Sequence, residues 1–82
     1  MTVDINGYFG KVLKVKRKAR RMTQHELAKK SQLDRTYISM LERGLRKPSL
    51  ETAINIAKVL DVPTGEIVNE VEGLASIPEH NT

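Results

Sequence analysis

Apolar residues recur at helical spacing in five short stretches of the chain, and polar or glycine- and proline-containing turns separate these stretches. The pattern predicts helices over about 8–20, 24–30, 35–43, 50–60 and 64–72. No stretch alternates as a half-buried strand would. The sequence therefore predicts an all-α fold, a compact bundle of five short helices over residues 8–73. We expect flexible ends at 1–7 and 74–82.

Capping signals sharpen the boundaries of the middle helices. Thr23 and Glu26 have the spacing of a capping box, in which each side chain accepts a hydrogen bond from the other residue's backbone amide. Asp34 and Ser49 are typical N-cap residues, and Gly44 is typical of the position just beyond a helix C-terminus. The second and third helices are then joined by about four residues, which is the helix-turn-helix arrangement.

The third helix has an unusual exposed face. At 100° per residue, Ile38 and Leu41 point inward, whereas hydroxyl, methionine and arginine side chains occupy the opposite face and its flanks. Such a helix fits the major groove of B-DNA, where arginine suits guanine, hydroxyl groups suit bases or phosphates, and methionine suits a thymine methyl group. The residues of this face are Arg35, Thr36, Tyr37, Ser39, Met40 and Arg43.

Charge is distributed unevenly along the 82 residues. All fourteen lysines and arginines lie between Lys11 and Lys58, which contains only four acidic residues, so this stretch carries a net charge of +10. Beyond Lys58 there are five acidic residues and no lysine or arginine. The basic stretch favours a polyanionic partner. On charge alone, a merely solvated basic surface and an anionic membrane surface remain open.

The composition and the residue spacing argue against several other classes of protein, such as enzymes, metalloproteins and membrane proteins. There is no cysteine, so disulfides and thiolate zinc sites are excluded. His25 and His80 do not have metal-ligand spacing, and no nucleophile–base pair or glycine-rich phosphate loop is recognisable. We therefore expect no enzyme activity, no cofactor and no metal. No apolar run approaches a membrane span, and the N-terminus lacks the apolar core of a signal peptide. A cytoplasmic protein is the expectation.

The segments TQHELA, LDRTYISMLERG and PSLETAINIAKVLDVP, in this order and spacing, resemble the Cro/C1-type (Xre) family of bacterial and phage regulators. Within that family, the small size and LDRTYIS also resemble the controller proteins of restriction–modification systems. The resemblance implies a lambda-repressor-like fold that binds double-stranded DNA. It also implies a structural ion pair between Arg17 and Glu42. Gln32 and Arg21 stand where the family usually has turn glycines, and Lys16 stands at a usually apolar position.

The resemblance also assigns roles within the DNA-binding surface. Arg35, Thr36 and Met40 match base-reading positions, with Tyr37 and Ser39 at the edges. Tyr37 is equally consistent with packing against the second helix. Gln24 matches a residue that contacts a phosphate and braces Arg35. The remaining phosphate-contact positions are Thr23, Arg43, Arg46 and Lys47, with a base contact as the alternative for Arg46.

One recognition helix contacts too few base pairs to specify a single site in a genome. The resemblance implies that the protein binds as a symmetric dimer. A bundle this small is not expected to bury every apolar residue of the fifth helix, so its surface is the predicted interface. Its acidic residues are expected to point away from DNA. The predicted contact residues are Leu60, Val62, Ile67, Val68 and Val71.

The sequence thus predicts a transcriptional regulator that binds a palindromic operator as a homodimer, with the helix 35–43 in the major groove. A protein-interaction module, such as the antitoxin of a toxin–antitoxin pair, is the alternative. Only about ten residues follow Glu72, whereas a toxin-binding antitoxin usually carries a longer segment, so we expect the regulator. A small-molecule effector is not expected, because there is no room for a sensing domain.

Overall fold

Five α-helices make up the computed structural model, which describes residues 4–76. The predicted all-α architecture is confirmed, and no strand occurs in this range. The helices, in chain order, are α1 (Ile5–Ala19), α2 (Gln24–Ser31), α3 (Arg35–Glu42), α4 (Leu50–Val59) and α5 (Thr64–Ser76). Helix α1 packs against α3 and α5, and α2 packs against α3 and α4.

A single aliphatic core fills the space between the helices. Each helix contributes at least one residue, and the largest of the fully buried side chains are leucine or isoleucine. Gly10 lets α1 approach α3 closely, because a Cβ at this position would overlap the carbonyl oxygens of Leu41 and Glu42. The largest side chains of the core are Leu13, Leu27, Ile38, Leu41, Ile56, Leu60 and Ile67.

Four helices end in the same local motif, with one residue in the left-handed conformation. The backbone φ is +58° at Arg21, +57° at Gln32, +74° at Gly44 and +57° at Asp61. After each of these residues, the next amide donates to a carbonyl five residues earlier, as in Leu33 to Ala28 at 2.9 Å. Only one of the four is glycine, so three side chains occupy backbone that L-residues disfavour.

The ends of the bundle differ from the prediction. Helix α1 begins at Ile5 rather than near residue 8, because the Asp4 side chain accepts a hydrogen bond from the Gly7 amide at 2.9 Å and caps the helix. Residues 5–7, assigned to a flexible segment, are therefore helical. Helix α5 continues through Gly73 to Ser76, so residues 74–76 are also helical. The rest of the two predicted flexible ends, residues 1–3 and 77–82, lies outside the described residues.

Candidate nucleic-acid interface

The capping box predicted at the start of α2 is present. The Glu26 amide donates to Thr23 Oγ1 at 3.0 Å, and the Thr23 amide donates to Glu26 Oε1 at 2.8 Å. The bond from the Thr23 amide, with a smaller contribution from the Thr23 side chain, lowers the pKa of the Glu26 carboxyl because it stabilises the charged form. The box fixes where α2 begins and holds the exposed Thr23 at the edge of the helix pair.

A three-residue turn joins α2 to α3. It begins with Gln32 in the left-handed conformation, and Leu33 then packs against the core. Asp34 occupies the N-cap position of α3 as predicted, but its side chain makes no capping hydrogen bond. Asp34 is exposed, and the backbone amides at the N-terminus of α3 are not capped by its carboxylate.

The outer face of α3 is available to a partner. Arg35 and Thr36 are exposed, while Ser39 and Met40 are half-buried. Within residues 4–76, the side chains of Arg35 and Thr36 form no hydrogen bond to another protein group. Ile38 and Leu41, on the opposite side of the helix, are fully buried. The prediction that Ile38 and Leu41 point inward is therefore confirmed.

Tyr37 and Arg46 lie together at the edge of this face. The Arg46 guanidinium carbon is 5.9 Å from the centroid of the Tyr37 ring, within the range of a cation–π contact. Tyr37 is half-buried and its ring packs against the hydrophobic core, while its contact with DNA stays a prediction. Arg43, the C-cap of α3, donates from Nε to the Ser39 carbonyl at 3.3 Å.

An ion pair lies behind α3, between Arg17 and Glu42. Arg17 Nε and Nη2 donate to the two Glu42 carboxylate oxygens at 2.6 and 3.0 Å, and Nη1 donates to the Met22 carbonyl at 2.7 Å. Arg17 is only 7% exposed. The hydrogen bonds to Glu42 raise the pKa of the Arg17 guanidinium further, so this buried group stays charged. The pair holds α1 against the C-terminal end of α3.

Gln24 belongs to the same network. Its Nε2 donates to Glu42 Oε1 at 3.0 Å. The sequence assigned Gln24 to bracing Arg35, but the structure turns its amide towards Glu42, because the carboxylate offers a charged acceptor there. An amide NH₂ carries two hydrogens, so one donor remains after this bond.

The residues predicted at the dimer interface do not form one surface. Leu60 and Ile67 are fully buried in the protomer, and Val71 is 8% exposed. These three lie in the core because α5 packs on both α1 and α4, so assigning them to an intermolecular surface was wrong. Val68 is 49% exposed and Val62 is half-buried.

Sequence reasoning missed other apolar residues that are exposed. Leu50 is 73% exposed and Ile54 is 37% exposed, although both were placed in the apolar stripe of the fourth helix. Leu50 and Val68 line a groove of about 330 Å³, together with the exposed Ile5 at the start of α1. The width of the apolar stripe could have indicated this exposure, since a short helix in a small bundle buries only part of so wide a stripe.

Within residues 4–76, no helix is long and apolar enough to cross a membrane. The same range contains no cluster of three acidic, histidine or cysteine side chains suited to a metal ion.

A helix-turn-helix family model matches residues 13–67, which include α2, α3 and α4. The chain belongs to the Cro/C1-type helix-turn-helix family. Among its relatives is the control protein C.BamHI of Bacillus amyloliquefaciens, 39% identical over 70 residues that cover 84% of this chain and 86% of that protein. Another is the control protein C.MunI of a Mycoplasma species, 36% identical over 84% of this chain and 95% of that protein.

Solved structures of the family share the fold. The restriction–modification controller protein C.Esp1396I superposes with a TM-score of 0.80 at 32% identity, covering 92% of this chain and 96% of that one. Other relatives are longer. The chain spans 42% of the immunity repressor protein of Bacillus phage phi105 and 26% of the uncharacterized regulator y4dL of Sinorhizobium fredii.

Proposed function

We propose that this protein is a sequence-specific DNA-binding transcriptional regulator that inserts α3 into the major groove of its operator. The observation that carries this proposal is the outer face of α3. It presents Arg35 and Thr36 to solvent without a hydrogen-bonding partner in the described chain, while the inner face is locked into the core. Arginine and hydroxyl side chains on an exposed helix of this width suit base edges.

Residues around α3 supply the phosphate contacts. Thr23 and Gln24 lie at the N-terminus of α2, where backbone amides and the helix dipole favour an anion. Arg43, Arg46 and Lys47 follow α3 and are all exposed. Phosphate contacts from both sides fix the register of the helix on the duplex, and Arg35 then reads bases within that register.

The protein binds a palindromic operator as a homodimer. The groove between α1, α4 and α5 supports an interface, because it gathers Ile5, Leu50 and Val68, each at least 49% exposed. Lys47 lies at the rim of the same groove, so two protomers joined there place their phosphate contacts side by side. We expect a two-fold axis through this surface that sets the recognition helices one turn of DNA apart, about 34–36 Å.

Arg35→Ala tests the base-reading role. We expect the variant to bind the operator more weakly by about 1–3 kcal/mol and to lose preference at one base pair per half-site. Affinity for random DNA should change much less. The control is the exposed Lys58→Ala on α4, which is expected to leave the operator preference intact. Equal losses on operator and random DNA would reassign Arg35 to the backbone.

Leu50→Asp and Val68→Asp test the dimer surface. Both side chains are exposed, so the variants should remain helical by circular dichroism while the sedimentation mass falls to that of one chain. Val15→Asp is the matched control, because Val15 is also exposed but lies outside the groove between α1, α4 and α5. If both groove variants remain dimeric at micromolar concentration, the interface lies elsewhere.

A further inference from the structure

A second apolar groove lies between α1 and the C-terminal half of α5. It has a volume of about 600 Å³, and its base is formed by apolar side chains. Val15 is 63% exposed there, although its neighbour on the helix, Val12, is buried. The complete lining is Lys11, Val12, Val15, Glu70, Gly73 and Leu74.

Gly73 has no role within the described chain that requires glycine. Its φ is not positive, and a Cβ at this position would have no neighbour within 4 Å. Glycine inside a helix is nevertheless less stable than alanine. Because Gly73 has no side chain, the floor of the groove is open. Another backbone can approach α5 more closely there than it could if any other residue stood at this position.

The α1 side of this groove is basic. Lys11, Lys14 and Lys18 are exposed, and none forms an ion pair within residues 4–76. On the acidic side of the groove, Lys16 Nζ lies 2.5 Å from Glu66 and 2.6 Å from Glu70, so one of these two negative charges is balanced and one remains. The three unpaired lysines of α1 outweigh that remaining charge, so the rim is positive on balance.

From the exposed Val15, the open floor at Gly73 and the basic rim, we propose that this groove docks an acidic amphipathic α-helix of a partner protein. Apolar side chains of the partner pack against Val15 and Leu74, and its backbone lies over Gly73. Acidic residues flanking that apolar stripe pair with the exposed lysines of α1, which sets the orientation of the partner helix.

The groove faces away from the recognition helix. Arg17 faces α3 through its ion pair with Glu42, and Val15 points about 160° away from Arg17 around α1, at 100° per residue. A partner held in the groove leaves the outer face of α3 open. The inference thus goes beyond the proposed function and does not depend on it.

The test uses two displayed libraries of helices of about 18 residues, or five turns, with randomised apolar positions at i, i+3, i+4 and i+7. The flanking positions are glutamate in one library and lysine in the other. We expect the full-length protein to enrich binders from the acidic library only. In the ¹⁵N-labelled protein, the selected peptide should shift the amide signals of Lys11, Val15 and Gly73, and leave those of Arg35 and Thr36 unchanged.

Two variants and a matched control complete the test. Val15→Glu and Gly73→Leu are each expected to weaken peptide binding at least about tenfold without lowering the melting temperature, since Val15 is exposed and Gly73 has free space. Gly65→Leu is the control, because Gly65 is the other α5 glycine with free space and lies outside the groove. It should bind the peptide as the wild type does.

Three kinds of result would overturn the proposal. The first concerns the peptide: enrichment from the lysine library, and equally binding that survives Val15→Glu. The second is a shift of the groove signals with protein concentration alone, which would make a second copy of this chain the occupant. The third is a shift of those signals on Ile77→Glu in the absence of peptide, which would mean that the C-terminal residues of the chain fill the groove.

Discussion

Removing the Glu42 carboxylate should destabilise the fold severely. Glu42→Ala leaves Arg17, which is 7% exposed, with one of its three side-chain hydrogen bonds, the one to the Met22 carbonyl. Because the guanidinium cannot lose its proton, the positive charge stays in place without a counterion. Breaking a buried pair in this way costs about 3–5 kcal/mol. Gln24 also loses its acceptor.

That cost is large for this chain. A protein of 82 residues has a total stability of about 4–12 kcal/mol, from about 0.05–0.15 kcal/mol per residue. For a domain of this size, each kcal/mol shifts the melting temperature by about 4–8 °C. Glu42→Ala should therefore melt at least about 12 °C below the wild type, and part of the population is expected to be unfolded at 37 °C.

Thermal unfolding by circular dichroism measures this effect, and a double-substituted variant controls it. Arg17→Met combined with Glu42→Leu removes both charges together, so most of the lost stability should return. A single Glu42→Ala variant that melts within about 2 °C of the wild type would show that water solvates Arg17. The network would then have no structural role behind α3.

Three further predictions concern separate parts of the molecule. Lys47→Ala should weaken binding to every DNA sequence and reduce the salt dependence by about one unit per half-site; an unchanged slope excludes the phosphate contact. Gln32→Gly should raise stability by about 1 kcal/mol in denaturant unfolding, because its φ is +57°, whereas Gln32→Ala should bring no gain. Glu26 has a lowered pKa, so its contribution to stability is complete above its ordinary pKa of 4.5 and is lost as pH falls through the folded-state value. Glu26→Gln should flatten this part of the stability–pH curve; an identical curve would contradict the assignment.

Local signals made the middle of the chain predictable. The Thr23–Glu26 capping box and the Ser49 cap depend on residues three apart, so their geometry is contained in the sequence itself. Both caps are present. The start of α1 at Ile5 depends on Asp4, a capping residue that is followed by Ile5, Asn6 and Gly7 rather than by a clear apolar pattern. The capping residue Asp4 therefore marks this helix boundary in the sequence, whereas the apolar periodicity begins only near residue 8.

Burial of individual apolar residues was less predictable, because it depends on how helices distant in sequence pack together. Ile67 and Val68 are adjacent and both apolar, yet one is 1% exposed and the other 49%. Leu50 fits the helical stripe of α4 but extends past the edge of the core. For the same reason, periodicity did not foresee that the Lys16 ammonium would connect α1 to two carboxylates of α5.

The most direct test of the central claim is selection of bound sites from random DNA duplexes, with the mass of the resulting complex measured by sedimentation. We expect a two-fold symmetric motif whose half-sites lie about 10 base pairs apart, bound by two chains. Duplexes that are recovered without any shared motif, or an asymmetric motif bound by one chain, would contradict it.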